Sequence, residues 1–147
     1  MVRGCNDINV IEFKRNTHYP TLRSILQSVR LSCRQSVTVT FTLDSKYVLG
    51  NHDQYDWNKL YGKGNVWRFG SKRKEEFWAW RYLPFYDRFE VVKYQREGGN
   101  FYWGEEVKVK PNKPIELDNS WFSLPIPLPA YFGGTSKTPH EIIIECQ

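Results

Sequence analysis

Residues 77–110 read FWAWRYLPFYDRFEVVKYQREGGNFYWGEEVKVK. Three runs rich in aromatic and β-branched residues, Phe77 to Leu83, Arg88 to Gln95 and Phe101 to Lys110, are separated by Pro84 with its neighbours and by Gly98-Gly99-Asn100. Proline fixes φ and glycine admits positive φ, so both separators are turn chemistry and the stretch predicts an antiparallel meander. Side chains alternate along a strand. In the first run Trp78, Trp80 and Tyr82 therefore share one face, while Phe77, Ala79, Arg81 and Leu83 share the other. Both faces are apolar enough to be buried, whereas a sandwich strand ordinarily buries one. Two arrangements follow: one face is an exposed aromatic platform, or one fills the core and the other lies beneath the proline-rich segment near residue 127.

Outward from the meander the same period recurs. Val37, Val39, Phe41 and Leu43 alternate with Thr38, Thr40 and Thr42, which predicts a half-buried strand. INVIEFK (8–14) predicts a first strand, and Ile115 to Leu117 a short one after the Pro111-Asn112 turn. Leu22, Ile25, Leu26 and Val29 fall at i, i+3, i+4 and i+7 behind Thr21, the pattern of one capped helix with that apolar stripe inward. Asn51 to Tyr61 reads as a loop with a short helical turn. Pro125, Pro127 and Pro129 predict an extended connector with few backbone donors. Gly133-Gly134 predicts a corner, and Ile142, Ile143 and Ile144 apolar on both faces predict an interior final strand. The sum is a mainly β chain, one domain over residues 1–147: an antiparallel β-sandwich, jelly-roll-like, or a flattened barrel, with one short helix.

The 147 residues are 40% hydrophobic and 25% charged, the composition of a soluble globule, and 16% aromatic, which is high. No apolar run is long enough for a membrane helix, and no secretory signal follows Met1. Cys5, Cys33 and Cys146 are odd in number and widely spaced, which predicts free thiols in a reducing setting rather than a disulfide framework or a metal pair. The expected compartment is the cytoplasm or a virion.

Charge concentrates in one place. Residues 59–81 hold seven cations and two anions, an excess that equals the net charge of +5 for the whole chain. They hold it among Tyr61, Trp67, Phe69, Phe77, Trp78 and Trp80. Cations beside flat rings suit a ring-bearing or anionic ligand, and equally a strand with snorkelling arginines. The candidate ligand residues are Trp57, Lys59, Trp67, Arg68, Trp78, Trp80, Arg81 and Tyr82. Trp78, Trp80 and Tyr82 would stack on a ring while Arg81 and Asp56 hydrogen-bond its hydroxyls. Lys72-Arg73-Lys74 before Glu75-Glu76 reads as a solvated, self-compensating hairpin. Nucleic acid is a weaker candidate partner, since +5 is modest beside typical nucleic-acid domains and no recognition motif is present.

Acid–base and metal chemistry find little support. His52, Asp53 and Asp56 cluster without a histidine pair or a D-x-D-x-D-G loop, so a polar turn is the simpler reading. Glu105 shares strand parity with Phe101, Trp103, Val107 and Val109. It would be buried opposite Glu90 as a glycosidase-like pair, or be turned outward by a bulge near Gly104. No nucleophile elbow, P-loop or nucleotide fingerprint occurs, and neither cofactor nor metal is expected.

DWNKLYG (56–62), RFG (68–70), Trp80-Arg81 and YFGG (131–134) with Pro139-His140 together resemble a set of uncharacterised small β proteins of bacteria and tailed phages. That pattern has an N-K-L-x-G element, paired histidines and an R-x-G-W-R element. Here the paired histidines are missing, and a Lys/Arg-rich insertion separates Arg68-Phe69-Gly70 from Trp80-Arg81. The resemblance covers the C-terminal two-thirds and implies no activity, but favours phage-linked or other non-enzymatic assembly. The expected function is thus a non-catalytic binding or assembly module, virion-associated or otherwise structural. A lectin-like carbohydrate-binding module and a single-stranded nucleic-acid binder are the alternatives. Expected partners are another protein in an assembly, a second copy in a homo-oligomer, or a glycan, and no membrane.

Overall fold

A computed structural model describes residues 9–66 and 73–147. In chain order it has β1 (Asn9–Phe13), α1 (Leu22–Ser32), β2 (Ser36–Phe41), β3 (Asn58–Gly64), β4 (Lys74–Leu83), β5 (Arg88–Glu97), β6 (Asn100–Trp103), β7 (Val107–Val109), β8 (Pro114–Asp118), β9 (Ile126–Leu128) and β10 (Ile142–Cys146), with short 3-10 turns at Leu43–Ser45, His52–Tyr55 and Pro84–Tyr86. Two antiparallel sheets result, one ordered β1-β10-β2-β8 and the other β6-β5-β4-β3-β9 with β7 also on β5. They do not close into a barrel, so the sandwich is the arrangement adopted.

The larger sheet contains the predicted meander as β4, β5 and β6; β3 adds to it beside β4, so residues 58–61 are strand rather than the loop expected over Asn51 to Tyr61. Gly98 at φ +59° makes the β5–β6 turn, and Asn112 at φ +63° the turn into β8. The last strand is interior, between β1 and β2, as its two apolar faces required. The core between the sheets takes Ile11, Phe13, Val37, Val39, Phe41, Ile142 and Ile144 from the smaller sheet, and Trp78, Trp80, Tyr82, Phe89 and Val91 from the larger. A second, smaller cluster on the far face of the larger sheet joins Phe77, Ala79, Val92, Tyr94 and Leu128. Side chains on both faces of β4 are therefore buried, those on the second face among neighbours that include Leu128 of β9 in the same sheet.

Four further expectations need correction. Leu22 and Leu26 are 76% and 57% exposed, whereas Ser24, Ser28, Leu31 and Ser32 form the buried face of α1. Thr21 caps the helix as expected. The serines go inward because each hydroxyl finds a backbone partner: Ser24 Oγ accepts from Glu12 N at 2.8 Å, and Ser28 and Ser32 donate to Ile25 O and Val29 O. Leu43 leaves β2 for a 3-10 turn and is 64% exposed. β4 begins at Lys74, so Glu75 and Glu76 are buried strand residues rather than a solvated hairpin. Finally, Pro125 to Pro129 contains a short edge strand on β3, where a missing Pro127 N–H is tolerated.

Glu76 fastens the chain that leads into β9. Its carboxylate accepts from Ser123 N (2.8 Å), Leu124 N (2.7 Å) and Ser123 Oγ (3.2 Å). Beyond β9, Phe132 is fully buried and Gly133 sits at φ +77°, donating its N–H to Asn58 Oδ1 at 2.6 Å. A Cβ at Gly133 would lie 2.6 Å from Ser136 O. Gly133→Val should therefore cost more than about 1 kcal/mol through backbone strain, read as a lower thermal midpoint. A parent-like midpoint would show that the corner relaxes freely.

Candidate binding groove on the outer face of the larger sheet

Strand register assembles the site. Leu128, Gly62, Phe77, Tyr94 and Trp103 lie in one row across five strands, and Ile126, Gly64, Glu75, Arg96 and Phe101 in the next. Gly62 is required in the first row, because a Cβ there would stand 2.7 Å from the Phe77 ring. The rings then run outward, Phe77 to Tyr94 with centroids 6.0 Å apart, Tyr94 to Trp103 at 5.1 Å and Trp103 to Phe101 at 6.3 Å. Burial falls along this series. Phe77 and Tyr94 are almost wholly buried, while Phe101 and Trp103 on the edge strand β6 are 49% and 51% exposed.

Walls rise on either side of this floor. Trp57 leans on Trp103 at 5.9 Å. Tyr131 is held by two backbone hydrogen bonds to Lys59 and stacks flat on His18 at 5.0 Å, with Tyr19 edge-on at 5.1 Å. The open concavity measures about 800 Å³ and is lined by the floor rings with Trp57, Tyr19 and Tyr131, by Asp56, Lys59, Arg73, Glu75 and Arg96, and by Leu128, Pro129 and the Gly133-Gly134 corner. That size is within the range of small-ligand sites.

At the inner end the polar groups converge. Glu75 is 1% exposed; its carboxylate receives Lys59 Nζ at 3.3 Å and Tyr94 Oη at 3.2 Å and pairs with Arg73. A bulge between Lys59 and Tyr61 keeps Lys59 on this face while Leu60 and Tyr61 both enter the core. Burial, with Arg73 and then Arg96 alongside, pulls the Lys59 ammonium down from 10.5 to about 8, against the opposing pull of Glu75. Asp56, at the other end, is raised by burial and by Asp53. Asp53 in turn is held low by hydrogen bonds from Ser136 and Thr135.

Depression of Lys59 fixes the sign of a pH effect. Its folded value lies below the ordinary 10.5 of an unfolded lysine. The unfolded chain thus holds more protons between about pH 8 and 10.5, and stability rises through that window. Relative to the parent, Lys59→Met should accordingly fare better at neutral pH than near pH 10.5, the difference changing by about 1–2 kcal/mol across that window whatever the loss of the Glu75 contact costs. Urea midpoints at neutral pH and near pH 10.5 measure it. A difference that does not change with pH would return Lys59 to an ordinary amine.

Comparison with known proteins returns no matching family model, no matching curated protein and no matching solved structure. The site rests on its own geometry.

Of the residues picked from sequence, the structure brings Trp57 and Lys59 into the groove. Arg81 stands behind it: its guanidinium lies 4.1 Å from the Trp57 ring centroid and donates to Glu90 at 3.0 and 2.8 Å and to Tyr55 O at 3.0 Å. Arg81 is thus stacked on Trp57 and does not line the groove. Trp78, Trp80 and Tyr82 are corrected outright. They are 8%, 0% and 6% exposed in the core, because alternation sends them inward once Phe77 and Ala79 are claimed by the outer cluster. Trp67 and Arg68 lie outside the described residues.

The Glu90–Glu105 pair does not form. Glu90 is held by Arg81 and Arg88, and Glu105 is exposed in the break between β6 and β7. Among the described residues no group of three or more His, Cys, Asp or Glu is placed to hold a metal. No helix of the described residues is long and apolar enough to cross a membrane. Cys33 and Cys146 are free thiols, Cys146 buried and raised to about 12, while Cys5 lies outside the described residues.

Sequence reading missed Glu75, Phe77, Tyr94, Arg96, Phe101, Trp103 and Tyr131. A usable signal existed: pairing the meander about its Gly98-Gly99 turn sets Phe101 opposite Arg96 and Trp103 opposite Tyr94.

Proposed function

We propose that this protein is a non-catalytic binding module whose contact surface is the groove on the outer face of the larger sheet. The observation that carries the reading is the row from buried Phe77 and Tyr94 to half-exposed Phe101 and Trp103, ending at the Lys59–Glu75–Arg73 cluster. Half-exposed rings on a rigid sheet, walled and close to fixed charges, are suited to hold a flat ligand without rearrangement. The best candidate acids for catalysis are otherwise engaged, Glu90 by two arginines and Glu75 by two cations.

Trp103→Ala tests the reading. Screening glycans and short oligonucleotides by calorimetry should find a ligand that the variant binds at least tenfold more weakly, since a stacked ring contributes about 1–3 kcal/mol. The variant should melt close to the parent. A ligand bound equally well by both proteins would place the site elsewhere.

A second reading, assembly, is favoured by β6 itself. It ends its sheet among the described residues, and Phe101, Tyr102 and Trp103 are all about half exposed without a charged residue in the strand. Such an edge can take another strand, from a virion protein or a second copy. Concentration-dependent mass that Tyr102→Lys abolishes would favour it.

A further inference from the structure

Building on the groove as the binding site, we infer that its occupant is a saccharide carrying one carboxylate, of the hexuronate type. The polar groups decide the class. Lys59, Arg73 and Arg96 face Glu75 and Asp56, so cations exceed carboxylates by one. A nucleic-acid strand brings one negative charge per phosphate and needs a track of unopposed cations. Here Glu75, 1% exposed, is the counterion of Lys59 and Arg73, and Asp56 at the far end would repel a second phosphate.

A sugar ring makes the opposite demand. Its hydroxyls both donate and accept, and the mixed rim offers Asp56 as acceptor with the Lys59 and Arg73 donors beside Glu75. Its C–H face needs an exposed ring, which Trp103 and Phe101 supply at 51% and 49% exposure. The one excess positive charge is Arg96. Its Nε donates to Gly98 O at 2.7 Å, its guanidinium lies 5.3 Å from the Phe101 ring centroid, and among the described residues no carboxylate pairs with it. A pyranose stacked on Trp103 and Phe101 thus has a guanidinium beside it for a carboxylate.

Calorimetry with three probes tests this: a glucuronate-containing disaccharide, the same disaccharide with its carboxyl reduced to the alcohol, and a short oligothymidylate. The parent should bind the uronate best. Arg96→Gln should weaken the uronate roughly tenfold or more, to the level of the reduced sugar, as loss of a charged hydrogen bond requires. It should leave the reduced sugar unchanged, and Trp103→Ala should weaken both. Thermal midpoints close to the parent show that both variants are folded.

Equal binding of the uronate and the reduced disaccharide overturns the acidic group. Tighter binding of oligothymidylate, falling steeply with salt, overturns the saccharide. If Trp103→Ala abolishes that binding, the groove remains the site and only its occupant changes. If it does not, the groove reading falls as well. Silence of all three probes overturns the inference.

Discussion

Trp80→Ala should lose about 3–5 kcal/mol of stability, enough to leave a marginally stable protein largely unfolded at ambient temperature. Trp80 is 0% exposed, with Phe41, Tyr47 and Phe89 at centroid distances of 5.2, 5.6 and 6.1 Å. Truncation opens a cavity where both sheets meet, and the rings around it, Phe41 on β2, Phe89 on β5 and Tyr47 between β2 and β3, are held by separate stretches of backbone and cannot collapse into it. Trp103→Ala, two strands away on β6 and half solvated, should cost under about 1 kcal/mol. Urea unfolding of the two variants side by side is the measurement. Comparable losses from both would return Trp80 to the surface, and with it the exposed platform, one of the two arrangements that alternation allows.

Glu75→Gln should cost about 2–4 kcal/mol, a wide range because Lys59 and Arg73 keep 25% and 23% of their side-chain surface in water. The amide keeps the shape and the Tyr94 hydrogen bond but not the charge. Two cations then face each other, with Arg96 nearby, and nothing buried compensates them. Adding Lys59→Met should recover at least about 1 kcal/mol, a coupling that a double-mutant cycle reads directly. Strict additivity would mean that the 3.3 Å contact contributes nothing. Where the single variant is folded, it should also bind anions more tightly and with a steeper salt dependence than the parent, because Glu75 is what holds the inner end of the groove near neutrality.

Much of the architecture was legible because period-two alternation and turn residues act locally. Val37 to Phe41, the Gly98-Gly99 hairpin and the doubly apolar Ile142 to Ile144 each say where they go without reference to the rest of the chain. What failed was the choice between faces. β4 is apolar on both sides, so its sequence does not say which three rings meet the other sheet; only the neighbours do, Phe41 and Phe89 on one side, Leu128 and Tyr94 on the other. In α1 the leucine stripe had the right period and the wrong side, since Ser24 is satisfied by the backbone of β1 and Ser28 and Ser32 by carbonyls of their own helix, so all three can be buried. Glu75 and Glu76 looked solvated because adjacent opposite charges usually are. Their partners Tyr94, Lys59, Ser123 and Leu124 lie 16 to 48 positions away, beyond the reach of any local pattern.

The two-sided character of β4 also constrains how this chain can change over generations. Core and groove are written in alternate letters of one ten-residue word, KEEFWAWRYL. Point substitutions edit one message at a time: a change at Phe77 or Glu75 is felt on the outer face while Trp78 and Trp80 keep their places in the core. Insertion or deletion of a single residue exchanges the messages, delivering Phe77, Ala79 and Arg81 to the interior and three large rings to the groove. Length variation is therefore forbidden in this strand and displaced to the Gly98-Gly99 turn, where a Cβ at Gly99 would meet nothing within 4 Å. The hairpin that turn closes carries Phe101 and Trp103. The part of the molecule free to lengthen, shorten or be grafted is thus the part that carries the half-exposed rings of the proposed groove, and it can change while the interior is left as it stands.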